Sequence, residues 1–241
     1  MNNYLLSIQY DGTNYSGWQN QNNSRTIQNE IEKNISIILK RKIKIIGAGR
    51  TDAGVHALDQ KANFKVEQEI DLYKFQYSLN SILPADISIR SIIKVSEGFN
   101  ARFDARNRTY IYLINRFKSP FYKNYSFFYP YQLDINKLNF LSELLLGEND
   151  FSSFSKKNNE ANKVCNVYFA KWYKKNDFIL FKITANRFLR GMVRSIVGTL
   201  LKLEKNCSPK DKLIEIIEAK NRSFAGENVP AKGLFLYKVE Y

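Results

Sequence analysis

Asp52 stands in the stretch IIGAGRTDAGVHA (45–57), with Arg50 two residues before it and His56, the chain's one histidine, four after. Gly47, Gly49 and Gly54 flank it. Three chemistries fit such a stretch: a phosphate cradle, a metal site, or a loop that presents one carboxylate. A dinucleotide fingerprint needs G-x-G-x-x-G or Ala at its close, and Asp52 stands where that small residue would be, its charge facing a pyrophosphate. A P-loop needs G-K-[ST], which is absent. A magnesium site needs further oxygen ligands, and the next acid, Asp59, is seven residues on. What remains is a carboxylate beside an arginine, which favours its charged form, or an ordinary turn whose surface ion pair is worth ~0–1 kcal/mol.

The rest of the composition narrows the class. Cys165 and Cys207 are far apart and have no histidine near them, which argues against a disulfide framework or a zinc site. No metal is expected. Lys and Arg number 37 against 23 Asp and Glu, a formal charge of +14. Such an excess suits a polyanionic partner, because neutralised phosphates release counterions; a lysine-rich soluble surface would read the same way. The N-terminal stretch MNNYLLSIQYDG lacks a basic leader, and no apolar run approaches membrane-spanning length. No membrane association is expected, and a cytoplasmic location is the default.

The elements that must position Asp52 follow from periodicity. YLLSIQY (4–10) reads as a strand, and TIQNEIEKNISIILK (26–40) as a helix capped by Thr26, with Ile27, Ile31, Ile35 and Ile38 along one face. KIKIIG (42–47) and LDQKANFKV (58–66) read as strands either side of the Asp52 loop. A helix over 71–83 starts at Asp71 and stops before Pro84, and a strand follows over 86–95. The order β-α-β-β-α-β is ferredoxin-like.

The second half repeats it. A strand over 108–116 leads through a long loop, around Pro120 and Pro130, to a helix over 135–146. Strands 164–174 and 178–185 form a hairpin, with Ile179, Phe181, Ile183 and Ala185 alternating. FLRGMVRSIVGTLLKL (188–203) carries a strong apolar helical stripe, a further helix starts after Ser208-Pro209, and GLFLYKVEY (233–241) closes the second half as a strand. The expected class is α+β, with two halves (1–104 and 105–241), mixed and mainly antiparallel sheets, and a central cleft between them. No sequence repeat links the halves.

GRTDAGVHA resembles the signature of the tRNA pseudouridine synthase A (TruA) family. Tyr10-Asp11-Gly12-Thr13 with Gly17-Trp18-Gln19 is similar to the family's opening block. LNSILPADI (79–87), ARFDARNRTYIY (101–112), FLRGMVRSIVGTLL (188–201) and GLFLYKVEY are similar to later blocks in the same order. The likeness spans essentially the whole chain and implies the pseudouridine synthase fold.

The resemblance implies isomerisation of uridine to pseudouridine at positions 38, 39 and 40 in the anticodon stem-loop of tRNA, with no cofactor and no metal. It implies that Asp52 is the catalytic carboxylate, serving either attack at C1′ or proton abstraction at C2′. The target base must leave its helix. Tyr110 matches the family tyrosine that stacks on it, and Arg194 the arginine that pairs with the carboxylate. Arg50, Thr51 and Gly54 would meet the RNA, and Phe188 and Leu189 would line the uracil pocket. Arg190, four residues before Arg194 on the expected helix, would share its face and meet phosphate. His56 reads as a structural loop residue. A homodimer in which one tRNA touches both subunits is implied. Asn100, Asn149 and Arg190-Gly191 replace residues that are commonly histidine in the family, each a place where RNA contacts could differ.

Overall fold

A computed structural model describes residues 1–156 and 162–241. The elements run β1 (Asn2–Tyr10), α1 (Ile27–Leu39), β2 (Ile46–Gly47), β3 (His56–Val66), α2 (Leu72–Ile82) and β4 (Ile87–Val95). They continue with β5 (Asn107–Asn115), β6 (Phe127–Phe128), α3 (Ile135–Glu143), β7 (Gly147–Asp150), β8 (Val164–Lys175) and β9 (Phe178–Ala185). Helices α4 (Met192–Leu203) and α5 (Pro209–Glu218) precede a last strand, β10 (Leu234–Glu240). Two compact units result: Met1–Arg106 with Phe235–Tyr241, and Asn107–Leu234.

In the first unit β1 is central, antiparallel to β3 on one side and to β4 on the other, and β2 pairs with the outer edge of β3. This β4-β1-β3-β2 order is the ferredoxin-like one expected. Helix α1 starts where Thr26 accepts a hydrogen bond from the Asn29 N–H, and its Ile27, Ile31 and Ile35 are fully buried. They form the core with Leu6, Ile8, Phe64 and Val66, each burial worth roughly 1.5–3 kcal/mol. Asp71 caps α2 through the Lys74 N–H.

The expected strand over 42–47 is only Ile46–Gly47. The buried Glu32 carboxylate accepts the Ile45 N–H at 3.0 Å, and the Ser36 hydroxyl accepts the Ile43 N–H at 3.0 Å. Side chains of α1 thus take the groups a ladder would have used, while Ile43 and Ile45 stay buried.

In the second unit β9 lies between β5 and β8, antiparallel to both, and β7 extends the β8 edge. Alternation along β9 is as read: Ile179, Phe181, Ile183 and Ala185 are buried. Trp172 of β8 packs on Phe181 at 4.7 Å and donates through Nε1 to Ser142 of α3. Two expectations need correction here. The helix expected over 135–146 ends at Glu143, its last residues turning into β7. The helix expected over 188–203 begins at Met192, because Gly191 adopts φ +75°. The closing strand expected over 233–241 forms as β10. It pairs in parallel with β3, Phe235 opposite His56, and Phe235–Tyr241 belong to the first unit. A parallel partner so distant in sequence leaves no local signal.

Candidate active site

The loop between β2 and β3 is tied down on both sides of Asp52. Ala48 N–H donates to Lys61 O at 2.7 Å, and Gln60 Nε2 donates to Gly49 O at 2.9 Å. At Thr51 the carbonyl accepts the Trp18 N–H at 3.1 Å, and the buried hydroxyl lies 2.8 Å from the Tyr10 hydroxyl. Beyond Asp52, its own carbonyl accepts the Val55 N–H at 3.2 Å. The His56 Nδ1 accepts the Gly12 N–H at 3.1 Å, and the ring stacks on Phe235 at 4.7 Å. An ordinary turn has no such long-range ties. Asp52 is half-buried and Arg50 exposed.

Gly17 makes the approach possible. At φ +96° its Cα faces the loop backbone, and a Cβ there would lie 2.6 Å from Thr51 O and 3.1 Å from the Asp52 carbonyl carbon. The segment carrying Gly17 is itself anchored. Asp11 N–H donates to Asp86 O at 2.9 Å, and the Tyr15 hydroxyl bonds the Asp86 carboxylate. Burial, reinforced by that bond and by the Asp86 charge, pushes the Tyr15 hydroxyl well above the usual phenol range. Arg25 lies over the Tyr15 ring at 4.6 Å. Three segments separate in sequence, around residues 10–18, 48–56 and 86, therefore meet in one unit. Sequence reasoning assigned no role to Tyr10, Tyr15, Gly17 or Trp18. The available signals were the resemblance of Tyr10-Asp11-Gly12-Thr13 and Gly17-Trp18-Gln19 to the family's opening block and the pair of glycines beside aromatics in YDGTNYSGW.

In the second unit, Tyr110 on β5 sits opposite Ile183, is 8% exposed, and meets Phe188 edge-on at 5.1 Å. Leu189 is buried and Phe188 half-buried. Arg194 projects from the first turn of α4, where its Nε donates to Val229 O at 2.7 Å while Val229 N–H returns to Arg194 O at 3.3 Å. That double tie fixes the guanidinium's base. Burial pushes the nearby Tyr112 hydroxyl up, opposed by the Arg194 charge, and this hydroxyl donates to Pro230 O. Arg190 does not share a helical face with Arg194. It precedes α4, is exposed, and its carbonyl accepts the Lys156 N–H. Arg50, Thr51, Asp52 and Gly54 thus belong to the first unit, and Tyr110, Phe188, Leu189, Arg190 and Arg194 to the second.

Two positions singled out as departures do local work. The Asn100 side chain accepts the N–H groups of Arg102 and Phe103, closing a turn. Asn149 donates to Leu146 O where the chain leaves α3. Among the described residues no group of three or more His, Cys, Asp or Glu is placed to hold a metal, and no helix is long and apolar enough to cross a membrane.

Comparison of the sequence with known proteins points to one family. The family model described as tRNA pseudouridine synthase matches residues 6–104 and 141–241. A protein of Caldicellulosiruptor bescii named tRNA pseudouridine synthase A is 45% identical, over 100% of both chains. One of the same name from Francisella tularensis subsp. novicida is 41% identical, over 100% of this chain and 95% of its own. Among solved structures, a Cbf5-Nop10-Gar1 complex aligns at a TM-score of 0.38 and 12% identity, covering 82% of this chain and 53% of that one.

Proposed function

Since the chain belongs to the tRNA pseudouridine synthase family, we propose that it isomerises uridine to pseudouridine at positions 38, 39 and 40 in the anticodon stem-loop of tRNA, with Asp52 as the catalytic carboxylate. The N1–C1′ bond of the target nucleotide breaks, the uracil turns, a C5–C1′ bond forms, the C5 proton leaves and N1 takes up a proton, so the product is an isomer. No electrons are exchanged with a partner, so the reaction calls for no redox cofactor.

The observation that carries the reading is how the loop holds Asp52. Its backbone is bonded on both sides to β3 and to the segment 12–18, while the side chain stays partly open. Positioning of that kind is what a carboxylate needs to act on a sugar carbon, whether it attacks C1′ or removes the C2′ proton. Tyr110, braced by Phe188, supplies a ring for the extruded base. Arg194, held through Val229, supplies a fixed positive charge for the carboxylate. Arg50 is exposed and suited to phosphate; Thr51, Gly54, Leu189 and Arg190 complete the proposed contacts, and a homodimer is the proposed working form.

Release of tritium from tRNA carrying 5-labelled uridine tests the activity. Asp52→Asn should abolish release and leave tRNA binding intact; an Asp52→Asn protein as active as wild type would remove Asp52 from its role. Pseudouridine mapping of treated tRNA tests the three positions.

A further inference from the structure

The second unit carries a surface that the site above does not use. Residues 117–131 include eight aromatic side chains, and no acidic residue occurs between Ala105 and Leu133. The matched family segments stop at residue 104 and resume at 141, so this stretch lies outside them. Its rings do not form a core. Phe121 is 83% exposed, and Phe117 and Tyr122 are exposed as well.

Nor is the stretch a loose loop. The buried Asn115 side chain holds Phe117 O on one side and the Ser126 hydroxyl on the other. Tyr122 O accepts from both the N–H and the hydroxyl of Ser126. Phe117, Tyr122 and Phe178 meet edge-on, with centroids 6.1, 5.6 and 5.0 Å apart around the trio. Phe178 brings the tip of the β8–β9 hairpin alongside, with Lys174 and Lys175 on it; Asp177 is the one acid there, and its carbonyl accepts the Arg116 N–H at 3.0 Å. Lys118 and Lys123 flank Phe121 and are exposed.

Resting on the tRNA reading, we propose that this rigid aromatic surface, ringed by Lys118 and Lys123, is a second RNA-docking site on which unpaired bases of the tRNA stack. Exposed rings give bases a flat apolar partner, and lysines beside them neutralise the strand's phosphates. A second copy seated on this patch would set Lys118, Lys123, Lys174 and Lys175 against like charges. A polyanion is the occupant that fits both the rings and the charge.

The test compares wild type, Phe121→Ala/Lys123→Ala, Lys118→Glu/Lys123→Glu and, as a control, Tyr73→Ala. Tyr73 is 83% exposed on α2 in the other unit. Filter binding of unmodified tRNA over a salt series gives affinity, and tritium release gives kcat and KM. Loss of one stacking ring lowers affinity about fivefold to a hundredfold. The Phe121→Ala/Lys123→Ala protein should therefore bind tRNA at least about fivefold more weakly, with KM raised in step, kcat unchanged, and a salt slope lower by about one. Lys118→Glu/Lys123→Glu should weaken binding while keeping every ring, and Tyr73→Ala should change nothing.

Wild-type affinity in both patch variants, alongside an active wild-type enzyme, would overturn the proposal. So would an equal loss in Tyr73→Ala, or a Phe121-dependent attachment to anionic vesicles with tRNA affinity unchanged. A wild-type protein that binds tRNA through Phe121 but releases no tritium would support the surface and refute the activity instead.

Discussion

Gly17→Ala isolates the loop geometry from the chemistry, because residue 17 brings no functional group to the site. The new Cβ would lie 2.6 Å from Thr51 O, well inside contact distance, at a φ of +96° that L side chains rarely adopt. The left-handed backbone costs about 1–2 kcal/mol and the overlap about 1–3 kcal/mol. Against this, alanine lowers the entropy of the unfolded chain by about 0.4–1 kcal/mol. The net loss is about 1–4.6 kcal/mol, or about 2–18 °C in melting temperature for a chain of this size. The crowded atoms are all loop backbone, of Thr51, Asp52 and Ala53, so relief shifts that loop against the segment carrying residue 17. A shift of that kind should lower kcat about tenfold to a hundredfold, with tRNA affinity little changed. Gly98→Ala, where a Cβ meets nothing within 4 Å, is the control. Thermal melting and single-turnover tritium release would decide. A Gly17→Ala protein with the melting temperature and kcat of wild type would refute the claim that residue 17 sets the position of Asp52.

Glu32→Ala should destabilise the first unit by about 2–4 kcal/mol in urea unfolding, since the buried carboxylate holds Ile45 N–H, Asn20, Gln28 and Lys44 together; an unchanged midpoint would count against that hub. Burial pushes the Cys165 thiol up to about 12, so at pH 8 a thiol reagent should label one cysteine of the native protein, the exposed Cys207, and both after denaturation. For Asp150, burial raises the carboxyl pKa, but bonds from the Ser152 hydroxyl and N–H and the Lys220 charge together leave it below the usual value. A lowered folded-state pKa gives stability that is present above the unfolded value, near 3.9, and is lost as pH falls through the folded one. Asp150→Asn should therefore flatten the acid limb of the stability curve below about pH 4, and a limb of unchanged slope would show that the Ser152 cap contributes nothing.

Where a local rule decided the backbone, the sequence could be read directly. Thr26 and Asp71 cap helices because their side chains reach an N–H three residues on, and Ser208-Pro209 opens α5 because proline suits a first turn. The reading went astray where a distant group intervened. Residues 42–45 have the composition of a strand, yet Glu32 and Ser36 supply the hydrogen bonds for Ile45 and Ile43. At 188–191 the apolar stripe runs on past the true helix start, and periodicity outvoted Gly191, whose positive φ ends the pattern. The parallel pairing of β10 with β3 was not expected, for a third reason. Its alternation announces a strand, but nothing local says that His56 and Ala57 are its parallel partners.

The same division explains the candidate site. Elimination removed the phosphate cradle, since a negative charge stands where it needs a small residue, and left Asp52 as a presented carboxylate or part of an ordinary turn until the family resemblance favoured the first. The groups that hold it did not stand out, because each acts across the chain: the Tyr10 hydroxyl meets Thr51 from 41 residues away, and Gly12 N–H meets His56 from 44. Seen alone, Tyr10 is a strand aromatic and Gly17 a turn residue, and both descriptions are locally correct. Their function exists only in the contact: the Tyr10 hydroxyl meets that of Thr51, and the missing side chain at Gly17 lets its backbone close on the backbone of Thr51 and Asp52. A candidate carboxylate can thus be picked out in one window of sequence and given its proposed role by resemblance, whereas the residues that hold its loop are found by asking what the neighbouring backbone could not tolerate. For this loop the answer is a methyl group at residue 17.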